Sequence, residues 1–288
     1  MVLAIIACSF VSVVSAAQQA THTPLQVKTL DVPYVPDGDV TQDLRIYLPE
    51  GIEGSLPTFF MIHGGAFRYA SKTLYDTLAH HFVERGYAVI SINYRLLPRF
   101  AYPAQVQDTF CALAWTHANA DTYGFDPERI VALGDSAGAT LAAMLGTVDD
   151  TSPYMKGCPD TLPGTDWIQG VIAFYGEFDL SYNPGSFFSY LGKKFGEAPD
   201  LWAEASPIHW IDGREPPFLL IHGTKDTMVP VSESQNFAAA LKKAKVDVEL
   251  LLIPEVDHLF ITHNRLSSSE NVQSLGAIEA FLAKLFEE

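Results

Sequence analysis

From about residue 44 onward, continuously apolar runs alternate with longer amphipathic stretches, and that rhythm limits the fold more than any other feature of the chain. The runs are LRIYL (44–48), TFFMIH (58–63), AVISINY (88–94), RIVALG (129–134), GVIAFYG (170–176), PFLLIHG (217–223) and VELLLIP (248–254). Several lack a polar face, as strands covered on both sides require. Helix-spaced segments fall between them at 72–85, 104–122, 137–146, 232–245 and 271–286. In 232–245, Lys242, Lys243 and Lys245 gather at the C-terminal end, where the helix dipole favours cations. The expectation is an α/β protein: an open, mostly parallel sheet with helices on both faces, its first strands around KTLDVPYV and LRIYL pairing antiparallel. Residues 177–215 break the rhythm, and the aromatic run SFFSYLGKKFGEAPDLW within them predicts a short helical cap.

With 288 residues, 48% hydrophobic and 18% charged, and no internal repeat or linker, residues 18–288 read as one domain. The net charge of −16 argues against nucleic-acid partners, since no basic cluster is present to displace counterions. Neutral substrates fit such a surface best. Residues 1–17 carry no charged side chain and end in small residues around Val14-Ser15-Ala16-Ala17. They read as a secretory signal peptide, without the usual basic start and too short for a stable membrane span. The expected location is therefore secreted or periplasmic. Beyond that leader, Cys111 and Cys158 are the remaining cysteines. An oxidising compartment permits their pairing, but Cys111 sits in a helical pattern and equally suits a buried thiol. The sequence leaves oligomeric state open.

In sheets of this kind, ligands bind beyond the carboxyl ends of the strands. After RIVALG comes DSAGATLAAM, so Ser136 stands between Gly134 and Gly138 where a strand becomes a helix. That setting is a nucleophile elbow, in which a strained turn raises the hydroxyl above the sheet. After TFFMIH come Gly64 and Gly65, whose backbone N–H groups can approach a ligand closely. With the N–H of Ala137 they form the expected holder of a developing oxyanion. Asp226 follows the run PFLLIHG, and His258 follows VELLLIP. Each alone is an ordinary loop residue, but the order Ser136, Asp226, His258 is that of a triad in which His258 takes the serine proton and Asp226 orients the imidazole. Asp179 is the reserve acid. The side chain of Asp257 should diverge from that of His258, and Asp135 is a candidate brace for the elbow. His63, His222 and the pair His80-His81 read as structural. No Cys/His cluster or HExxH stretch is present, so neither a metal nor a cofactor is expected.

The segments HGGAF, SINYRLLP, AYPAQVQDTFCALAWTHANADTYGFDPERIVALGDSAGA, ASPIHWIDGREPPFLLIHGTKDTMVP and VDHLF together resemble α/β-hydrolase carboxylesterases of the hormone-sensitive-lipase-like group. The likeness is greatest to the branch of bifunctional feruloyl and acetyl xylan esterases, over about residues 27–286. The resemblance implies an α/β-hydrolase fold, Ser136 as nucleophile, Asp226 as acid, His258 as base, and amides of Gly64, Gly65 and Ala137 as oxyanion hole. Ala66 and Ala139 stand where the group often has glycine. The implied activity is serine-dependent hydrolysis of small uncharged carboxylic esters, with feruloyl or acetyl esters of plant cell-wall polysaccharide as candidates. Phe67, Tyr175 and Phe178, with Phe187, Phe188 and Tyr190 of the cap, could line an acyl pocket or belong to the core. Amide hydrolysis, long-chain lipolysis and a non-catalytic binding module are the alternatives, the last disfavoured by an intact triad.

Overall fold

The computed structural model describes residues 26–286 apart from Glu53, Asp150, His263 and Asn264; the expected leader at 1–17 lies outside the described residues. Eight strands form one sheet: β1 (Val27–Pro33), β2 (Asp43–Pro49), β3 (Leu56–Ile62), β4 (Ala88–Ile92), β5 (Phe125–Asp135), β6 (Gly170–Phe174), β7 (Phe218–Gly223) and β8 (Val248–Ile253). The helices are α1 (Asp76–Val83), α2 (Ala104–Ala118), α3 (Ala120–Tyr123), α4 (Ala137–Thr147), α5 (Pro184–Leu191), α6 (Pro199–Glu204), α7 (Ser232–Ala244) and α8 (Ser269–Phe286). Each of the seven apolar runs forms a strand, with ends moved by a few residues.

The spatial order is β1-β2-β4-β3-β5-β6-β7-β8. β2 pairs antiparallel with both β1 and β4, and every pairing from β4 to β8 is parallel. The continuously apolar runs are explained by the two cores. On one face Phe60, Ile90, Ala132 and Leu220 pack with α2, α4 and α7; on the other Phe59, Val89, Leu133 and Ile221 pack with α1 and α8. Alternate residues of one strand thus enter opposite cores, and both must be apolar.

The predicted 104–122 helix is divided at Asn119, whose amide group reaches back to the Trp115 carbonyl. Lys72–Tyr75 at the start of the predicted 72–85 helix forms a tighter 3₁₀ turn before α1. Residues 177–215, the expected cap, hold α5, α6 and short 3₁₀ turns. Cys111, on α2, and Cys158, in the loop after α4, are joined in a disulfide. The loop folds back onto α2, where Tyr154 stacks on Phe110 with ring centroids 5.7 Å apart. No helix among the described residues is long and apolar enough to cross a membrane.

Candidate active site

β5 ends at Asp135 and α4 begins at Ala137, leaving Ser136 alone in the turn at φ 50°, ψ −123°. A non-glycine residue rarely adopts that conformation, and the neighbouring glycines are what permit it. A Cβ on Gly134 would stand 2.2 Å from the Gly138 carbonyl oxygen, and one on Gly138 would stand 2.0 Å from that of Ile62. Strand and helix therefore cross in backbone contact. A hydrogen bond from the Ser136 N–H to the Phe174 carbonyl, 2.9 Å long, ties the elbow to the end of β6.

Two loops bring the other groups to this point. Ser136 Oγ lies 3.1 Å from His258 Nε2, and His258 Nδ1 lies 2.6 Å from Asp226 Oδ2. The carboxylate can only accept, so Nδ1 carries the hydrogen and Nε2 faces the serine as a free base. Asp226 Oδ1 accepts the N–H groups of Met228 and Val229 at 2.9 and 2.8 Å. Burial alone would raise the Asp226 carboxyl. Hydrogen bonds from His222, His258 and the Val229 amide outweigh that effect and hold it well below the usual carboxylate range. The acid is thus a stable anion behind the imidazole. Tyr175, at φ 40°, lays its ring 4.4 Å from that of His258 and keeps the imidazole in place.

Asp179, the reserve acid, takes no part: its Oδ1 accepts the Ser181 N–H at 3.0 Å and the Ser181 hydroxyl at 2.5 Å. The side chain of Asp257 does turn from the imidazole and joins the two loops. Its Oδ1 accepts the N–H of Thr227 at 2.8 Å and that of His258 at 2.8 Å.

The oxyanion loop requires a correction. The Gly64 N–H, expected among the anion donors, instead donates to Asp135 Oδ1 at 2.8 Å, and Tyr75 donates its hydroxyl to the same oxygen. Asp135 is fully buried, and burial pushes its carboxyl up against the opposing pull of Tyr75 and Gly64. It braces the loop from below: a Cβ on Gly64 would come within 2.6 Å of its Oδ2. Gly65, at φ 113°, and Ala66, at φ 53°, continue the turn, and among the described residues no acceptor takes either N–H. The Ala137 N–H is a first-turn donor of α4, which helix geometry leaves without a partner. Gly65, Ala66 and Ala137 thus keep N–H groups that no acceptor among the described residues takes. His63 holds the loop from the side through Nδ1, 2.7 Å from the Gly64 carbonyl, and burial lowers its pKa to about 4.

The aromatic lining requires a second correction, because Phe67, Tyr175 and Phe178 are 2%, 0% and 0% exposed. Phe178 stacks on Phe237 at 4.3 Å within the core. Phe67 stacks on Tyr190 of α5 at 4.0 Å and joins oxyanion loop to cap. Large apolar rings gain most from burial, and these found neighbours to bury against. A cavity of about 640 Å³, lined in part by Trp167, Asp149 and Arg214, lies near the opposite ends of β6 and β7 from Ser136. Among the described residues no group of three or more His, Cys, Asp or Glu side chains is placed to hold a metal ion.

The family model described as BD-FAE matches residues 44–241, well over half of the chain and most of the sheet described above. The chain belongs to the BD-FAE family. Beyond the BD-FAE match, it is 32% identical to esterase LipQ of Mycobacterium tuberculosis over 83% of its own length and 59% of that protein's. The chain therefore spans about three fifths of that curated relative. A truncated carbohydrate esterase from gut microbiota superposes with a TM-score of 0.77 at 22% identity, covering 91% of this chain and 98% of the other. Esterase B from Lactobacillus rhamnosis superposes with a TM-score of 0.78 at 24% identity, covering 92% and 88%. These likenesses concern the fold, which is that of an α/β-hydrolase.

Proposed function

We propose that the chain is a serine carboxylic-ester hydrolase. The observation that carries this reading is the unbroken relay from Ser136 Oγ to His258 Nε2 and from His258 Nδ1 to Asp226 Oδ2 at 3.1 and 2.6 Å. A serine hydroxyl is a weak nucleophile until a base takes its proton, and His258 is placed to do so. Ser136 Oγ attacks the ester carbonyl, the carbonyl oxygen becomes an anion held by backbone N–H groups, and His258 passes the proton to the departing alcohol. Water then attacks the acyl-enzyme with His258 as base, and the acid leaves. A single oxyanion donor contributes about 3 kcal/mol to such a step.

The substrate class we propose is small uncharged esters, with feruloyl or acetyl groups on plant cell-wall polysaccharide as the leading candidates. Family membership and the acidic surface support this choice. We place the protein outside the cytoplasm, secreted or periplasmic, with residues 1–17 as a signal peptide and 18–288 as a single hydrolase domain. The Cys111–Cys158 disulfide favours an oxidising compartment.

Initial rates on methyl ferulate, acetylated xylan and short and long p-nitrophenyl esters test the reading, with Ser136→Ala as control. The substitution should lower kcat by up to ~10⁶ while the fold, followed by circular dichroism, is kept. Turnover retained by Ser136→Ala refutes the mechanism. Serine-dependent turnover of short p-nitrophenyl esters alone keeps the hydrolase and removes the polysaccharide substrate.

A further inference from the structure

The mechanism above uses one imidazole, yet a second is buried against the same carboxylate. His222 lies in β7, one residue before the strand ends, and is fully buried. Its Nδ1 is 2.7 Å from Ser234 Oγ on α7. Its Nε2 is 3.0 Å from the Val229 carbonyl oxygen and 3.3 Å from Asp226 Oδ2. Both groups facing Nε2 are acceptors, so Nε2 bears the hydrogen and Nδ1 accepts from the Ser234 hydroxyl. The Nε2–H bonds to the Val229 carbonyl and has, as a weaker second acceptor 3.3 Å away, the oxygen that also accepts from His258 Nδ1 at 2.6 Å. Tyr175 fills the corner between the rings, its centroid 4.4 Å from that of His258 and 6.4 Å from that of His222.

We propose that His222 is a positioning residue of the triad: its Nε2–H shares Asp226 Oδ2 with His258, orients the carboxylate and limits how tightly the acid holds the proton that His258 gains. The inference rests on the proposed triad of Ser136, Asp226 and His258. A donor on a carboxylate oxygen draws negative charge toward itself, which weakens the attraction that the same oxygen exerts on an imidazolium. Without His222, Asp226 would stabilise protonated His258 more strongly, and the base would be free only at higher pH. The other ionisable groups facing this cluster are Asp135 at the elbow, Asp257 in the loop of His258, Glu177 after β6, Glu233 on α7 and the phenol of Tyr175 between the rings. None carries a positive charge and none is removed when His222 is replaced, so a shift reports the loss of the His222 donor.

The test follows the downfield proton resonance of His258 Nδ1–H through a pH titration in the parent, His222→Leu and His222→Gln. The pH profile of kcat/KM on p-nitrophenyl acetate is recorded alongside. Leucine removes the donor, and we expect both the titration and the acid limb of the profile to move up by about one pH unit, the scale of one lost neighbour. Glutamine offers an amide N–H near the Nε2 position and should return both toward the parent. A residue that only fills space would lower stability without moving either. Should His222→Leu fail to fold, Ser234→Ala releases the ring at Nδ1 and should move the titration in the same direction by less. An unshifted or downward-shifted titration in whichever variant folds overturns the proposal. Shifted titration in a protein with no Ser136-dependent turnover would instead refute the hydrolase reading and leave the sharing of Asp226 standing.

Discussion

Glu177 lies just beyond Phe174, whose carbonyl ties down the elbow, and its Oε2 is buried without a hydrogen-bond partner. Burial, reinforced by the negative charge of Glu233, pushes its pKa up from 4.5 to about 8. In the folded protein the group therefore keeps its proton up to about pH 8, whereas the unfolded chain releases it near 4.5. The unfolded state binds fewer protons across that window, so this residue makes stability fall as pH rises from 4.5 toward 8 and level off above it. Glu177→Gln should remove this contribution, and melting curves of parent and variant from pH 5 to 9 should diverge progressively up to about pH 8. Parallel curves would show that the carboxyl is ionised throughout. Neither this burial nor the bond from the Gly64 N–H to Asp135 is legible in the sequence. Ser136, Asp226 and His258 are legible because each stands within four residues of the end of an apolar run, and the parallel sheet brings the ends of those runs to one rim. Which way an amide in His63-Gly64-Gly65 points depends on a carboxylate 71 positions away, and no local pattern records it.

Among the elements, α5 matters most to the site, because it reaches the oxyanion loop directly. Phe67 and Tyr190 stack at 4.0 Å with planes 5° apart, Arg68 Nη2 donates to Ser189 Oγ at 3.3 Å, and the Tyr102 N–H donates to the Tyr190 carbonyl at 3.0 Å. Tyr190→Ala would leave a cavity under the cap and lower stability by about 3–5 kcal/mol, the range for large aromatic truncations. Phe187 and Tyr190 face inward, whereas Phe188, 48% exposed, serves as a control whose truncation should change melting little. We expect Tyr190→Ala to raise KM for p-nitrophenyl butyrate more than it lowers kcat, because it loosens the ground beside the substrate and leaves Ser136, His258 and Asp226 untouched. An equal fall in kcat with KM unchanged would mean that the cap acts on the chemistry itself. That helices interrupt the strand rhythm over 177–215 is legible in the broken alternation there. The packing of this segment is not, since SFFSYL carries three aromatics at positions that suit either face until Phe67 and Tyr102 supply the partners.

At the scale of the molecule, the proposed nucleophile Ser136 lies near the middle of the chain and the proposed acid and base, Asp226 and His258, lie late. The Cys111–Cys158 disulfide closes a loop of sequence separation 47 that contains Ser136, which removes about 4 kcal/mol of unfolded-chain entropy. Lys156 and Gly157 are exposed inside that closed loop. A cut after Lys156 would divide the chain so that Ser136 stays with one piece and Asp226 and His258 with the other, while the bridge keeps the pieces covalently joined. After denaturation and dilution, the halves of a nicked, oxidised molecule meet as tethered neighbours, and recovery of ester turnover should not depend on protein concentration. Once reduced and alkylated, they must find each other in bulk solution, and recovery should fall as the sample is diluted. One covalent bond outside the proposed triad thus decides whether reassembly of the site is a first-order or a second-order event.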